Sequence, residues 1–189
     1  NKVDGSSRSN VNLGICLIGA NADAVMDTGF DIGGAASGTG NTFSNWGNTA
    51  VAGSFLNVSG TVFCAYLFNQ KSINFSYNTV TSASLNSASA TRGIFLNYGT
   101  APTSGSFTNT ISNNTVTLTT TAAPTCEMIR HAGMSTVLSG VTINLNNNTL
   151  LNCSSGGEFV GIVNNNSAPG TLNISGNIIR GTAQSGTTA

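Results

Sequence analysis

Five stretches of this chain align without a gap on one asparagine, and that recurrence restricts the fold more than any other feature. They are ASGTGNTFSNW (36–46), INFSYNTVTSA (73–83), NTISNNTVTLT (109–119), INLNNNTLLNC (143–153) and LNISGNIIRGT (172–182). The shared residue is Asn41, Asn78, Asn114, Asn148 or Asn177, at intervals of 37, 36, 34 and 29 residues. A period of that size marks a solenoid, in which each repeat supplies one coil and loops of uneven length join them.

The positions around the asparagine repeat in chemistry as well as identity. Two residues after it stand Phe43, Val80, Val116, Leu150 and Ile179. Three before it stand Phe75, Ile111, Leu145 and Ile174, with Gly38 breaking the column in the first copy. Five before it stand Ile73, Ile143 and Leu172, with Asn109 as the exception. Apolar residues two apart indicate strands with one buried face, so these columns are expected to point inward. The parity changes across the asparagine, so the chain must bend there, and asparagine tolerates the left-handed backbone of a tight bend.

A second strand recurs upstream in VFCAYLFNQ (62–70), GIFLNYG (93–99), EMIRHAG (127–133) and GIVNNN (161–166). Aligned at their ends, Leu67, Phe95, Ile129 and Ile162 make one column, and Asn69, Asn97, His131 and Asn164 the next turn position. NVNLGICLIG (10–19) belongs to an earlier coil. Several short strands per coil with an asparagine corner resemble the right-handed parallel β-helix of the pectate-lyase type. That resemblance implies an all-β solenoid of about five coils with loop insertions, its asparagines hydrogen-bonded from coil to coil. An antiparallel sandwich would not require the same corner residue five times. The expected organisation is a single β-helix segment over 1–189, cut from a longer protein. Residues 1–35 form a less regular leading coil and 36–183 the regular coils.

Composition narrows the function. Six Lys plus Arg balance six Asp plus Glu, and 6% of residues are charged, against roughly 25% in ordinary domains. Nucleic-acid binding needs a clustered basic surface, and so does a polybasic membrane anchor. Neither is expected. The longest apolar run, around Val62–Phe68, is far short of the ~20 residues of a spanning helix, so no membrane insertion is expected. Cys16, Cys64, Cys126 and Cys153 lack the paired spacing of a zinc site. Buried thiols are the simpler reading, and a Cys126–Cys153 disulfide stays open. No metal or cofactor is expected.

Candidate chemistry is sparse. Asp4, Asp23, Asp27 and Asp31 precede the regular coils, and only Glu127 and Glu158 follow. Asp23, Asp27 and Asp31, four apart, could gather near a cation or simply solvate a connecting loop. Glu127, Arg130 and His131 lie on one strand; straight alternation puts Glu127 and His131 on one face and Arg130 on the other. Thr42, Thr79, Thr115 and Thr149 form one outward row, with Thr81, Thr117 and Ser44 in the next. Such rows suit a glycan-contacting or ice-binding face, but Leu151, Ile178 and Arg180 interrupt them. Trp46 and Tyr77 fall near corners, where rings can stack on sugars. Asn57-Val58-Ser59 and Asn173-Ile174-Ser175 match the glycosylation sequon.

INFSYNTVTS and TLNISGNIIRGT also resemble very large Asn/Thr-rich β-helical surface proteins of Gram-negative bacteria. The resemblance implies a non-catalytic stalk, filament subunit or adhesin body at the cell surface, contacting glycans or further copies of itself. A fragment of a polysaccharide lyase or glycoside hydrolase is the alternative, and an ice-binding solenoid the third reading.

Overall fold

A computed structural model describes residues 1–5, 13–47, 61–85, 90–99, 102–120, 125–134, 136–165 and 167–184. The chain is a right-handed parallel β-helix whose strands form four parallel sheets. Sheet I joins Leu13–Ile18, Val62–Phe68, Thr91–Asn97, Cys126–Ala132 and Phe159–Asn165 in sequence order. Sheet II joins Asp31–Gly33, Asn74–Ser76, Phe107–Ser112, Leu138–Asn146 and Pro169–Asn173. Sheet III runs from Lys2–Asp4 through Thr42–Trp46, Thr79–Leu85, Thr115–Thr120 and Thr149–Leu151 to Ile178–Arg180. Ser154–Ser155 and Ala183–Gln184 attach to sheet III off that path. Asp27–Thr28 and Gln70–Lys71 make a two-stranded sheet between I and II. Each coil therefore visits sheets I, II and III in turn, and every ladder pairs one coil with the next.

Sheet III shows why the apolar spacing builds this shape. Along Thr115–Thr120 burial alternates strictly, with Val116, Leu118 and Thr120 inside. The register stacks Phe43 on Val80, Val116, Leu150 and Ile179. The first four are at most 3% exposed, and full burial of each such side chain is worth ~1.5–3 kcal/mol. In sheet II, Ile32, Phe75, Ile111 and Leu145 form the matching column. Phe43 and Phe75 stack across the interior with centroids 6.0 Å apart.

Three expectations about columns need correction. The first member of the sheet II column is Ile32, not Gly38, because the corner in the first coil spans 34–41 where the next three coils turn in two residues. Ile174 and Ile179, in the last described coil, are both 49% exposed, because no described strand stacks beyond them. In sheet I, Leu67 pairs with Leu96, and Phe95 with Tyr66 and Arg130. Ile129 instead joins Ile15, Ala65, Ile94 and Ile162.

The expected turn column fails too: Asn97 pairs with Phe68 and Ala132, and His131 with Leu96 and Asn164, so the strands do not align on their terminal asparagines. Alternation is also interrupted, by a skipped beat. Cys64 and Ala65 both belong to the inner core, as do Met128 and Ile129. Phe63, Tyr66, Phe95 and Ala132 form a separate cluster on the outer face. Two consecutive inward residues reverse the parity of everything that follows on the strand.

The leading coil lies in the same ladders, and the register reaches Asn1. The carbonyl of Asn1 accepts from Thr42 N at 2.8 Å. Asn41, Asn78, Asn114 and Asn148 accept in the same way from Thr79, Thr115, Thr149 and Ile178. Asn1 thus occupies the backbone position of a sixth column member.

The inward and outward assignment has a direct test. Val116→Asp is expected to destabilise by about 3–5 kcal/mol, because it places a carboxylate among methyl groups with no partner. Thr115→Asp, one residue away on the outer side, is expected to cost under about 1 kcal/mol. Equal losses in urea melts of the two variants would contradict the assigned faces.

Candidate functional site

The corner between sheets II and III gathers most residues singled out by the sequence. Inside it, the asparagines form a ladder. Asn41 N and Nδ2 both donate to Asn78 Oδ1, at 3.0 and 3.1 Å. Asn78 donates likewise to Asn114 Oδ1 at 2.9 and 3.2 Å, and Asn114 to Asn148 Oδ1 at 3.1 and 3.0 Å. Asn148 closes the series on Asn177 Oδ1 at 2.9 and 3.1 Å. The second Nδ2 hydrogen reaches across the bend to a strand carbonyl: Ile32, Phe75, Ile111 or Leu145, at 2.7–2.9 Å. Only a short planar amide offers two donors and an acceptor at this reach. Asn78, Asn114 and Asn148 are at most 1% exposed.

The left-handed residue at this bend is not the ladder asparagine but the one before it. Tyr77, Asn113, Asn147 and Gly176 have φ of 60°, 56°, 56° and 64°. Turning that residue outward aims the next side chain inward. Two different demands, a left-handed backbone and a buried amide, thus fall on neighbouring residues.

Outside the corner, Thr42, Thr79, Thr115 and Thr149 stack in one row, which ends at Ile178. Ser44, Thr81 and Thr117 make the second row. Register shifts follow it, between Ser44 and Trp46 and between Thr117 and Thr119. Beside the rows lies an open groove of about 260 Å³, lined by Ser37, Gly38, Tyr77, Thr79, Asn113, Thr115 and Asn147, with Asn78 behind. No charged side chain lines it. Sequence reasoning named Tyr77 and the threonines but missed Asn113 and Asn147, whose role as outward turn residues depends on the displaced left-handed position.

Trp46 does not stand at a sugar-stacking corner. It is 1% exposed, inside the core. Glu127 and His131 do not share a face either. The skipped beat puts Glu127 and Arg130 outside, where Arg92 and Arg130 both hold the Glu127 carboxylate. Both guanidinium groups lie over the Phe95 ring, 4.9 and 5.5 Å from its centroid.

His131 is wholly buried, with Nδ1 2.9 Å from Asn164 Oδ1 and Nε2 3.1 Å from Ser167 Oγ. A neutral ring donates from Nδ1 and accepts at Nε2, so both partners are satisfied. Burial lowers its pKa to about 4, partly opposed by the Asn164 bond.

The remaining candidates lie apart. Gln70 donates to Asp27 and Asn74 to Asp31; the Asp23 side chain is outside the described set. Glu158 is exposed and accepts from Thr125 Oγ1. Among the described residues no three His, Cys, Asp or Glu side chains gather as metal ligands would. All four thiols are free, so Cys126 and Cys153 are not bridged. Burial pushes the Cys126 thiol up to about 12, far from a reactive thiolate. The sequon at Asn57 falls outside the described residues; Asn173 is exposed and donates to Asn144 Oδ1 at 2.8 Å.

Two outcomes follow from this geometry. Asn114→Ala should cost about 3–5 kcal/mol, since it strands Asn78 donors and the Phe75 carbonyl in the interior. Asn41→Ala, half-buried at the ladder's first described amide, should cost less than half as much in the same melts. His131 stays neutral in the fold while the unfolded chain protonates near its usual value. Its contribution is therefore constant above pH ~6.5 and falls by up to ~1.4 kcal/mol per unit until pH ~4. His131→Leu, matching Leu67 and Leu96 in its row, should flatten that part of the melting-temperature profile. An unchanged profile would refute the assignment.

No protein-family model matches the chain, and neither does any curated protein or solved structure.

Proposed function

We propose that the chain is a non-catalytic structural or adhesive stretch of a large cell-surface protein, serving as stalk, filament subunit or adhesin body. The observation that carries this reading is the amide ladder, which commits every coil to the same rod-building corner. The neutral surface beside it supports adhesion: threonine hydroxyls and asparagine amides are matched hydrogen-bonding partners for uncharged sugar hydroxyls.

The alternative, a fragment of a polysaccharide lyase or hydrolase, needs either two carboxylates about a scissile bond or a cation site with a base. Glu127 is engaged by two arginines outside the coil and His131 is neutral within it. The one cluster of acid, base and imidazole in the sequence is thereby divided by the sheet. An ice-binding face, the third reading, needs a flat threonine grid. The register shifts after Thr81 and Thr117 and the change to Ile178 weigh against one.

The test is incubation of the purified chain with acidic and neutral polysaccharides, with and without calcium. No new reducing ends or unsaturated uronates are expected. Their appearance, abolished in Glu127→Gln, would replace this reading with the enzymatic one.

A further inference from the structure

The open groove at the outer corner carries an inference that rests on the adhesive reading and makes it specific. Tyr77 is the anomaly. In the three later coils its turn position belongs to Asn113, Asn147 and Gly176, residue types that adopt a left-handed backbone at low cost. A bulky aromatic there costs about 1–2 kcal/mol. Core packing does not offset that cost, because Tyr77 remains half-exposed. Strain held on the surface, on a residue that lines a cavity, points to a ligand.

The surroundings state what kind. The hydroxyls of Tyr77, Thr79 and Thr115 and the amide of Asn147 have no hydrogen-bond partner among the described residues. Each is a neutral donor and acceptor. The groove holds no cation for a uronate or sulfate and no carboxylate for an amine. At about 260 Å³ it is just under the ~300 Å³ lower end of small-molecule sites, room for one sugar ring in closest contact. Ser37 and Gly38, from the long first-coil corner, wall it on one side. Beyond Tyr77 the column continues through Asn113 and Asn147 at the coil spacing of ~4.8 Å, close to the length of one pyranose in an extended chain.

We propose that this corner binds a neutral oligosaccharide laid along the solenoid axis, roughly one sugar per coil, with one ring against the face of Tyr77. The aromatic face meets the apolar C–H face of the sugar, and the free hydroxyls and amides meet its hydroxyls.

The test is an amide-resonance titration of the intact chain with tetrasaccharides of β-linked glucose, β-linked mannose and α-linked glucose. Tetragalacturonate and the monosaccharides are the controls. At least one neutral tetrasaccharide should shift resonances at Tyr77, Asn113 and Asn147, and bind severalfold tighter than its monosaccharide. Tyr77→Asn and Asn147→Gly install residues already used at this turn, so both should melt no lower than the parent. Tyr77→Asn should weaken binding about tenfold, equivalent to losing one stacked ring.

Silence at the corner with all three neutral probes overturns the proposal, as does binding undiminished in Tyr77→Asn or equal binding of tetragalacturonate. A lower melting temperature in Tyr77→Asn would show that the ring is structural and overturn it too. A silent corner leaves the non-catalytic rod standing, whereas new reducing ends in the titrated sample would defeat that broader reading directly.

Discussion

The Oδ1 atoms of Asn78, Asn114, Asn148 and Asn177 each accept twice from the preceding coil, once from backbone and once from side chain. The rest of the architecture depends on that doubled bond. A bend between two sheets leaves backbone amides facing a dry interior, where each unpaired group costs a few kcal/mol. The ladder satisfies them with one residue per coil and fixes coil register in the same stroke. With the amide turned inward, the residue before it goes left-handed at Tyr77, Asn113, Asn147 and Gly176, and Thr42, Thr79, Thr115 and Thr149 after it stay out of the core. Core, corner groove and threonine rows are three consequences of one choice of side chain.

Much of this was legible in the residues because the ladder cannot be built from substitutes. Asn78, Asn114, Asn148 and Asn177 are identical for a physical reason, and their flanking apolar columns follow by parity. Where the reading slipped, the cause is local. The eight-residue corner in the first coil hid Ile32 behind Gly38. Ile174 carries the same chemistry as Leu145, but pattern alone does not show which coils are covered by a described neighbour. Asn1 escaped notice because too little chain surrounds it to display the repeat.

Sheet I resisted for a deeper reason. Alternation is a rule about straight strands, and paired inward residues such as Met128 and Ile129 suspend it. Nothing in the letters CEMIRHA marks that break, so Glu127 and His131 read as neighbours on a face when they lie on opposite sides of the sheet. The corner groove was likewise half visible. Tyr77 stands out as an aromatic, but its left-handed backbone and the open amide of Asn147 exist only once the bend is placed.

The scarcity of charge has a consequence for the conditions such a rod tolerates. Among the described residues Lys2 pairs with Asp4, and Glu127 with its two arginines. Dissolved salt screens interactions between exposed charges beyond ~8 Å at physiological ionic strength, and amide ladders and packed methyl groups offer it almost nothing to screen. Charge screening therefore leaves coil cohesion almost untouched, and the contacts that stack one coil on the next are the same in dilute buffer as at physiological ionic strength.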